Sequence, residues 1–205
     1  MHEEILKQKT KPIFSKIAKI KVINSFYLAG GTALALQFGH RESIDLDWFS
    51  EKPFSTKELK KELSELGDLR VDSEEEDTLN CSLDDVKLSF LKYSYRVLFP
   101  FIQYKGIKIA DFRDIACMKL DTVSSRGSRK DFIDLYFLLK EMSLDDFLKL
   151  FDKKYKEINY NKTHLLKSLV YFKEAEESPI PKMIKKVSWK EMKEEIIKKV
   201  KNIND

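Results

Sequence analysis

The stretch FYLAGGTALALQFGHRESIDLDWFS, residues 26–50, determines how the rest of the chain is interpreted. Its apolar start, residues 26–29, predicts a short strand that ends at a pair of glycines. Thr32 stands directly before a run rich in alanine and leucine, so it is expected to cap a helix. Gly39 is a typical residue just past a helix end. The first half of the stretch therefore predicts a strand, a glycine turn and a helix.

The second half, IDLDWFS, alternates between polar and apolar residues, which predicts a strand over residues 44–50. On a strand, Asp45 and Asp47 point to the same face, and two neighbouring carboxylates can hold a divalent cation such as Mg²⁺. The backbone N–H groups of a glycine turn and of a helix N-terminus can hold phosphate. The two halves together predict a metal ion and a phosphate-bearing ligand at one place.

The composition of the chain limits its class. Hydrophobic residues are 42% and charged residues 35% of the 205, which is typical of a folded globular protein and excludes a disordered one. The longest uncharged run, residues 22–39, contains polar and glycine positions that argue against a membrane span. The charged N-terminus favours a cytoplasmic location. Cys81 and Cys117 lack the spacing of a zinc site and fit free thiols in a reducing compartment.

The remaining sequence changes character near residue 110. Residues 69–109 contain several strand-like runs, whereas the chain from Asp111 onward has helical spacing. We expect an α/β (α+β) fold with a mixed sheet, divided into an α/β core, residues 1–110, and a helical domain, residues 111–205. The net charge of +4 lies in the second part, with 21 basic and 17 acidic residues. This excess mildly favours a phosphate-bearing partner.

The opening stretch also matches a known family motif. That motif has two small residues and a threonine before a helix, then an arginine, a serine or threonine, and Asp-x-Asp. The matching positions are Gly30, Gly31, Thr32, Arg41, Ser43, Asp45 and Asp47. In these residues the chain resembles the nucleotidyltransferases related to the AbiEii toxins, which belong to the DNA polymerase β-like nucleotidyltransferase superfamily. Such proteins are toxin halves of bacterial toxin–antitoxin and phage-abortive-infection pairs.

A second stretch, DIACMKLDTVSSRGSRKDFIDLYFLLK, resembles the later motif of the same family. The matching positions are Lys119, Arg126, Lys130, Asp131 and Asp134. Asp131 and Asp134 share one face of an otherwise apolar helix, so they need cationic partners. Lys119, Arg126 and Arg129 are the candidate partners. The alternatives are a role near the nucleotide and a structural salt-bridge network between the helical half and the sheet.

One position departs from the superfamily pattern. The superfamily often has a third carboxylate on a later strand, and here Ser89 stands where it is expected. A serine cannot act as the general base that a carboxylate could be. Asp72 or Asp85 could replace it only if the fold brought them close. The resemblance therefore leaves two outcomes, catalysis with two carboxylates or a loss of activity.

The resemblance implies transfer of a nucleoside monophosphate from an NTP to an acceptor, with RNA such as a tRNA end as one candidate acceptor and an antitoxin as a partner. The implied catalytic residues are Asp45, Asp47, Lys119, Asp131 and Asp134, of which the first two would bind Mg²⁺. The implied nucleotide-binding residues are Gly30, Gly31, Thr32, Arg41 and Ser43. Two alternatives remain, an inactive phosphate-binding relative and an aminoglycoside-like small-molecule nucleotidyltransferase. A basic cleft would favour RNA, and an acidic cleft the small molecule.

Overall fold

The centre of the fold is a seven-stranded mixed sheet. The structure, a computed structural model, describes residues 1–203. The strands are β1 (Tyr27–Ala29), β2 (Leu46–Ser50), β3 (Leu69–Glu75), β4 (Thr78–Leu83), β5 (Val86–Lys92), β6 (Ile102–Tyr104) and β7 (Ile107–Ile109). Their order is β3-β4-β5-β2-β1-β7-β6. The pairs β2–β5 and β1–β7 are parallel, and the other neighbours are antiparallel. The predicted mixed sheet is confirmed.

Helices precede, interrupt and follow these strands. They are α1 (Thr10–Ile17), α2 (Gly30–Phe38), α3 (Thr56–Ser64), α4 (Phe112–Arg126), α5 (Arg129–Glu141), α6 (Leu144–Lys154), α7 (Lys162–Ser168), α8 (Lys173–Glu177) and α9 (Trp189–Lys201). The helical spacing predicted after Asp111 is confirmed. The run 161–177 has helical spacing throughout but forms two helices, α7 and α8, and between them Phe172 packs against Phe132 and Trp189.

The spacing of residues 3–24 predicts helix that is interrupted or begins near Pro12, and the structure confirms helix only around Pro12. Only α1 is α-helical, and short 3₁₀ turns lie at Glu3–Ile5 and Lys21–Ser25. The first residues cannot continue a helix because their backbone is used elsewhere. The N–H of Ser43 donates to the carbonyl oxygen of Ile5 at 3.2 Å, and Leu6 forms a parallel bridge with Ser43.

Helix α2 connects the two parts of the chain. It follows β1 directly and contacts β1, β2, α4 and α5. Residues 32–36 are all buried, which is typical of a helix enclosed on every side. Buried side chains from before and after residue 110 form one continuous core. The division into two domains at residue 110 stays a prediction, and its last residues, 204–205, lie outside the described part.

Within residues 1–203, none of the helices has the length and apolar character needed to cross a bilayer. The predicted cytoplasmic location stays a prediction.

Candidate active site

A cleft of about 880 Å³ lies beside β2 and β5, with α4 and the start of α5 on its other side. Nine of the ten predicted site residues line it: Gly30, Gly31, Thr32, Arg41, Ser43, Asp45, Asp47, Lys119 and Asp131. The tenth, Asp134, has no exposed surface and lies behind the cleft wall. Residues that span more than a hundred positions of sequence therefore meet at one site.

The two glycines let side chains approach the N-terminus of α2 closely. Gly30 has a φ of +67°, and a Cβ there would lie 2.7 Å from Oδ2 of Asp47. A Cβ on Gly31 would lie 2.3 Å from Nη2 of Arg41. Neither distance is compatible with a side chain, so both positions require glycine. The first N–H groups of α2, which have no partner within the helix, lie at the cleft beside Asp47.

Thr32 does not cap α2, contrary to the sequence prediction. The helix already begins at Gly30, after the N-cap residue Ala29. The hydroxyl of Thr32 instead donates to the carbonyl oxygen of Asp45 and hydrogen-bonds the hydroxyl of Ser43. Thr32 and Ser43 are both buried, and their contacts fix the segment that leads to Asp45.

The two carboxylates differ in their surroundings. Asp47 lies in β2, between Ala29 of β1 and Ser89 of β5, whereas Asp45 precedes the strand. Burial raises the pKa of Asp47; the charge of Lys119 opposes this rise, and that of Asp45 adds to it. No cationic nitrogen in residues 1–203 lies within 4.0 Å of Asp47. The nearest cation to Asp45 is Lys130, whose Nζ lies 3.9 Å from its Oδ2.

These two residues fit a magnesium ion. Asp47 is a partly buried carboxylate without a cation within 4.0 Å in residues 1–203, and it lies next to a second carboxylate. Among residues 1–203 no cluster of three or more histidine, cysteine, aspartate or glutamate residues is placed to hold a metal. Magnesium does not need such a cluster, because it binds through one or two carboxylates and takes its other oxygens from phosphates and water.

Asp134 is the centre of a buried network. It accepts hydrogen bonds from Nε and Nη2 of Arg41 at 2.7 and 2.9 Å and from Nε2 of His40 at 2.8 Å. Nζ of Lys119 lies 2.8 Å from Oδ2 of Asp134. Although burial opposes the charged form, the nearby charges of Arg41 and Lys119 hold the pKa of Asp134 well below its usual value.

Asp131 joins this network from the first turn of α5. It accepts a hydrogen bond from Lys119 at 2.7 Å and one from the backbone N–H of Ser128 at 3.1 Å. Lys119 is thus the cationic partner of both aspartates, as predicted. Of the three candidate partners named from the sequence, Lys119 is the one found, and neither Arg126 nor Arg129 pairs with these aspartates. Arg129 points away and donates to the carbonyl oxygen of Ala175, and Arg126 lines the cleft.

His40 packs in the core and hydrogen-bonds Asp134, and it does not line the cleft. Its ring is fully buried, and its centroid lies 4.8 Å from that of Phe137. Burial lowers the pKa of His40, although the hydrogen bond to Asp134 opposes that shift. The backbone oxygen of His40 accepts hydrogen bonds from the N–H groups of Ile184 and Lys185.

No third carboxylate lies at the expected place. Ser89 lines the cleft and is the direct cross-strand neighbour of Asp47, which is the geometry the superfamily pattern requires. Asp72 lies on the edge strand β3, and Asp85 lies in the β4–β5 turn. Neither lines the cleft, so neither replaces the missing carboxylate. Asp121 of α4 does line it, and burial raises the pKa of Asp121.

Several lining residues were not predicted: Lys7, Glu42, Ile44, Phe49, Asn80, Leu91, Tyr93, Ile115, Met118, Asp121, Thr122, Pro181 and Lys182. Phe49 could have been found, because it lies two residues after Asp47 on the same face of the strand. Glu42, Ile44, Met118, Asp121 and Thr122 lie within three residues of predicted site residues, whereas the remaining ones come from other parts of the chain and have no local signal.

The segment that carries Arg41 is held at both edges. We call residues 40–43 the arm and residues 181–185 the strap. The N–H of Glu42 donates to the carbonyl oxygen of Lys182 at 2.8 Å, and Arg41 and Met183 form an antiparallel bridge. On the other edge, Ser43 bonds the N-terminal segment. The arm is therefore the middle of a small three-stranded arrangement at the cleft mouth.

Comparison with known proteins gives a family match over most of the chain. The family model described as "Nucleotidyl transferase AbiEii toxin, Type IV TA system" matches residues 14–109 and 78–202. The chain is also 39% identical, over 202 residues, to an uncharacterized protein of Aquifex aeolicus, and the match covers 96% of each chain.

Two solved structures share the fold. MenT4, a nucleotidyltransferase toxin of Mycobacterium tuberculosis, has a TM-score of 0.57 and 13% identity, over 97% of this chain and 86% of that one. ANT(2″)-Ia, solved with adenylyl-2″-tobramycin, has a TM-score of 0.53 and 12% identity, over 74% of this chain and 99% of that one. The predicted nucleotidyltransferase fold is confirmed by these likenesses.

Proposed function

The chain belongs to the family of AbiEii nucleotidyltransferase toxins, and we propose that it transfers a nucleoside monophosphate from an NTP to an acceptor with Mg²⁺ held by Asp45 and Asp47. The observation that supports this activity most directly is the position of Asp47. Its partly buried carboxylate lacks a cation within ion-pair distance in residues 1–203 and lies against the N-terminus of α2 at Gly30. A carboxylate suited to a cation therefore lies beside a helix end suited to phosphate, which supports the proposal.

The bound metal would neutralise negative charge on the phosphates that react. The chain's own residues then bind and orient the NTP. The free N–H groups of Gly30 and Gly31 would donate to phosphate oxygens, and Thr32 and Ser43 keep Asp45 in place through their hydroxyl contacts.

The cations of the cleft divide into two sets. Arg41 and Lys119 already balance Asp131 and Asp134, so each has only its remaining N–H bonds for a phosphate. Arg126, in contrast, lines the cleft without an ion-pair partner within 4.0 Å in residues 1–203. We therefore assign most of the charge compensation at the phosphates to Arg126 and Lys130, the second of which would be released from Asp45 if Asp45 held a metal ion.

An RNA acceptor fits the charge of the cleft better than a cationic small molecule does. Beyond the buried network and the metal ligands, the lining contributes the cations Lys7, Arg126, Lys130 and Lys182 and the anions Glu42 and Asp121. A basic rim attracts a polyanion and repels an aminoglycoside. By family, an antitoxin is the expected protein partner of this chain.

A second candidate is an NTP-binding relative with impaired catalysis. It is favoured by one observation, Ser89 beside Asp47 at the position where the superfamily often has its third carboxylate. Such a protein would bind NTP and Mg²⁺ without transferring label.

A transfer assay separates the candidates. The purified protein is incubated with Mg²⁺, each labelled NTP in turn and total bacterial RNA, beside the double variant Asp45→Asn/Asp47→Asn. Label that enters RNA only with the intact carboxylates establishes the activity and its nucleotide. NTP binding without transfer favours the impaired relative, and transfer that persists in the double variant contradicts the assigned site.

A further inference from the structure

The cleft continues past the carboxylates into an apolar end. Five side chains line this part, which we call the apolar recess: Phe49, Leu91, Tyr93, Ile115 and Met118. The rest of the lining is mainly charged or polar. A single cleft thus combines a charged end, suited to metal and phosphate, with an apolar end suited to neither.

Strand register explains why the recess adjoins the metal ligands. Phe49 follows Asp47 by two residues on the cleft face of β2, and its cross-strand partner on β5 is Leu91. Tyr93 continues the same row, and its backbone N–H donates to the carbonyl oxygen of Ser50 at 2.7 Å. Two residues of strand span roughly 7 Å. The recess therefore begins about one sugar unit away from the carboxylates.

The walls of the recess are held in place. The ring of Phe49 stacks on that of Tyr27 at 5.9 Å and meets the edge of Tyr93 at 5.6 Å. The hydroxyl of Tyr93 hydrogen-bonds that of Tyr155. On the opposite side, Ile115 and Met118 lie one turn apart on α4. Rings fixed in this way lose little conformational entropy when a flat ligand packs on them.

We infer that the apolar recess binds the nucleobase of the NTP, with the triphosphate at the α2 N-terminus and the ribose between them. This inference rests on the proposed function. A nucleobase is the flat, weakly polar part of an NTP, and aromatic and aliphatic side chains bind it by stacking. The orientation of the NTP then follows β2, from its phosphates at Asp45 and Asp47 to its base at Phe49.

The base of an acceptor nucleotide has the same chemistry, so the test must separate the two sources. Binding of each NTP and of inorganic tripolyphosphate to the Mg²⁺-loaded protein is measured by calorimetry without RNA. The variant is Phe49→Ala. The matched control is Phe54→Ala, which truncates another partly buried phenylalanine that does not line the cleft. Met118→Gln probes the opposite wall, and circular dichroism checks that each variant is folded.

We expect the wild type to bind an NTP more tightly than tripolyphosphate. Phe49→Ala should weaken NTP binding about tenfold, the effect of losing one base–aromatic stack, and leave tripolyphosphate binding unchanged. Met118→Gln should act in the same direction, and Phe54→Ala should change neither.

Two results would overturn the inference while leaving the proposed function intact. One is equal binding of NTP and tripolyphosphate by the wild type. The other is NTP binding that is unaffected by either recess variant, with RNA binding alone weakened, which would assign the recess to the acceptor. If the wild type binds neither ligand, the proposed function fails as well.

Discussion

The site contains two pairs of aspartates, and the two pairs have opposite charged surroundings. Asp131 and Asp134 on α5 are surrounded by cations and hydrogen-bond donors, and both have lowered pKa values. Asp45, just before β2, has one loose contact with Lys130, whereas Asp47, in β2, has no cation within 4.0 Å in residues 1–203 and a raised pKa. The first pair is neutralised by cations of the protein, whereas the second pair is largely without them in the described residues.

From this difference we infer that Asp131 and Asp134 stabilise the fold, whereas Asp45 and Asp47 bind a ligand. Removing one member of a buried, fully paired ion network leaves uncompensated charge, which is strongly destabilising. A buried carboxylate without a partner, in contrast, makes the folded state less stable and is retained for another reason, which is often function. Both pairs belong to family motifs, so motif membership alone does not separate the two roles.

The largest expected effect comes from Asp134→Asn. Because Arg41 and Lys119 would lose their shared anion in a buried place, the free energy of unfolding should fall by about 3–5 kcal/mol. Denaturant unfolding measures it. Asp145→Asn, at an exposed position of α6, is the control and should change stability by no more than about 0.5 kcal/mol. An equal, small effect of both variants would mean that the network is not a stability element.

The wild-type stability supplied by Asp134 also has a defined pH dependence. Its folded-state pKa lies well below the unfolded value, so the contribution is complete above the unfolded pKa, about 3.9. It is lost only as the pH falls through the folded-state pKa.

The next largest effect is expected from Asp47→Asn, which should lose nucleotide-transfer activity and gain stability. Loss of a metal ligand should lower the transfer rate by about a thousandfold, equivalent to several kcal/mol of transition-state stabilisation. In metal-free buffer the same variant should melt at a higher temperature than the wild type, because an amide replaces a carboxylate whose burial is unfavourable.

The sign of the pH dependence tests this account. A carboxylate with a raised folded-state pKa costs no stability below the unfolded pKa and costs progressively more as the pH rises through the folded-state pKa. The melting-temperature gap between Asp47→Asn and the wild type should therefore open as the pH rises from about 3.9. A gap that closes with rising pH would contradict the comparison.

Ser89→Asp adds a third negative charge beside the ligand-binding pair, Asp45 and Asp47. A third carboxylate beside Asp47 should tighten Mg²⁺ binding and, without metal, lower stability by roughly 0.2–1 kcal/mol through cross-strand repulsion. Calorimetry and melting curves measure the two effects, with Ser89→Asn as the uncharged control. If Ser89→Asn tightens Mg²⁺ binding as much as Ser89→Asp does, charge is not the cause.

The smallest effect is expected from Lys130→Ala. The ammonium group 3.9 Å from Asp45 competes with a metal ion, but it is half exposed, so its removal should favour Mg²⁺ binding by only about 0.2–1 kcal/mol. Lys140→Ala removes a similarly exposed lysine paired with Glu195 and should leave Mg²⁺ affinity unchanged. Weaker Mg²⁺ binding by Lys130→Ala would show that Lys130 supports the metal site.

The sequence predicted most of what is local. Residues 26–50 contain a strand, a helix and a second strand in the predicted order, because each follows from spacing within a few residues. The prediction is wrong in detail, since the helix begins at Gly30 without a separate turn and the second strand begins at Leu46, so that Asp45 precedes it. Thr32 was misread because its sequence position suits an N-cap, whereas its hydroxyl is used by Asp45 and Ser43, eleven or more residues away.

The parts that could not be predicted depend on distant contacts. Arg41 meets Asp134 from 93 residues away, so its sequence neighbourhood gives no sign that most of its donors are already occupied. The apolar recess is similar, since Leu91 and Ile115 come from separate elements and read individually as ordinary core residues. Leu91 and Ile115 form one wall because strand register and helix packing bring them together.

The strap has a consequence for the order of events during synthesis. Lys182 contacts Glu42 across 140 residues, so the second edge of the arm can form only after residue 182 has been synthesised. Chains begin to fold from the N-terminus as they emerge, which makes the sheet and α2 available earlier. A chain that lacks residues 181–185 keeps Asp45 and Asp47 but has an arm bound along one edge only. The mouth of the cleft is therefore completed well after the carboxylates that line it have been synthesised.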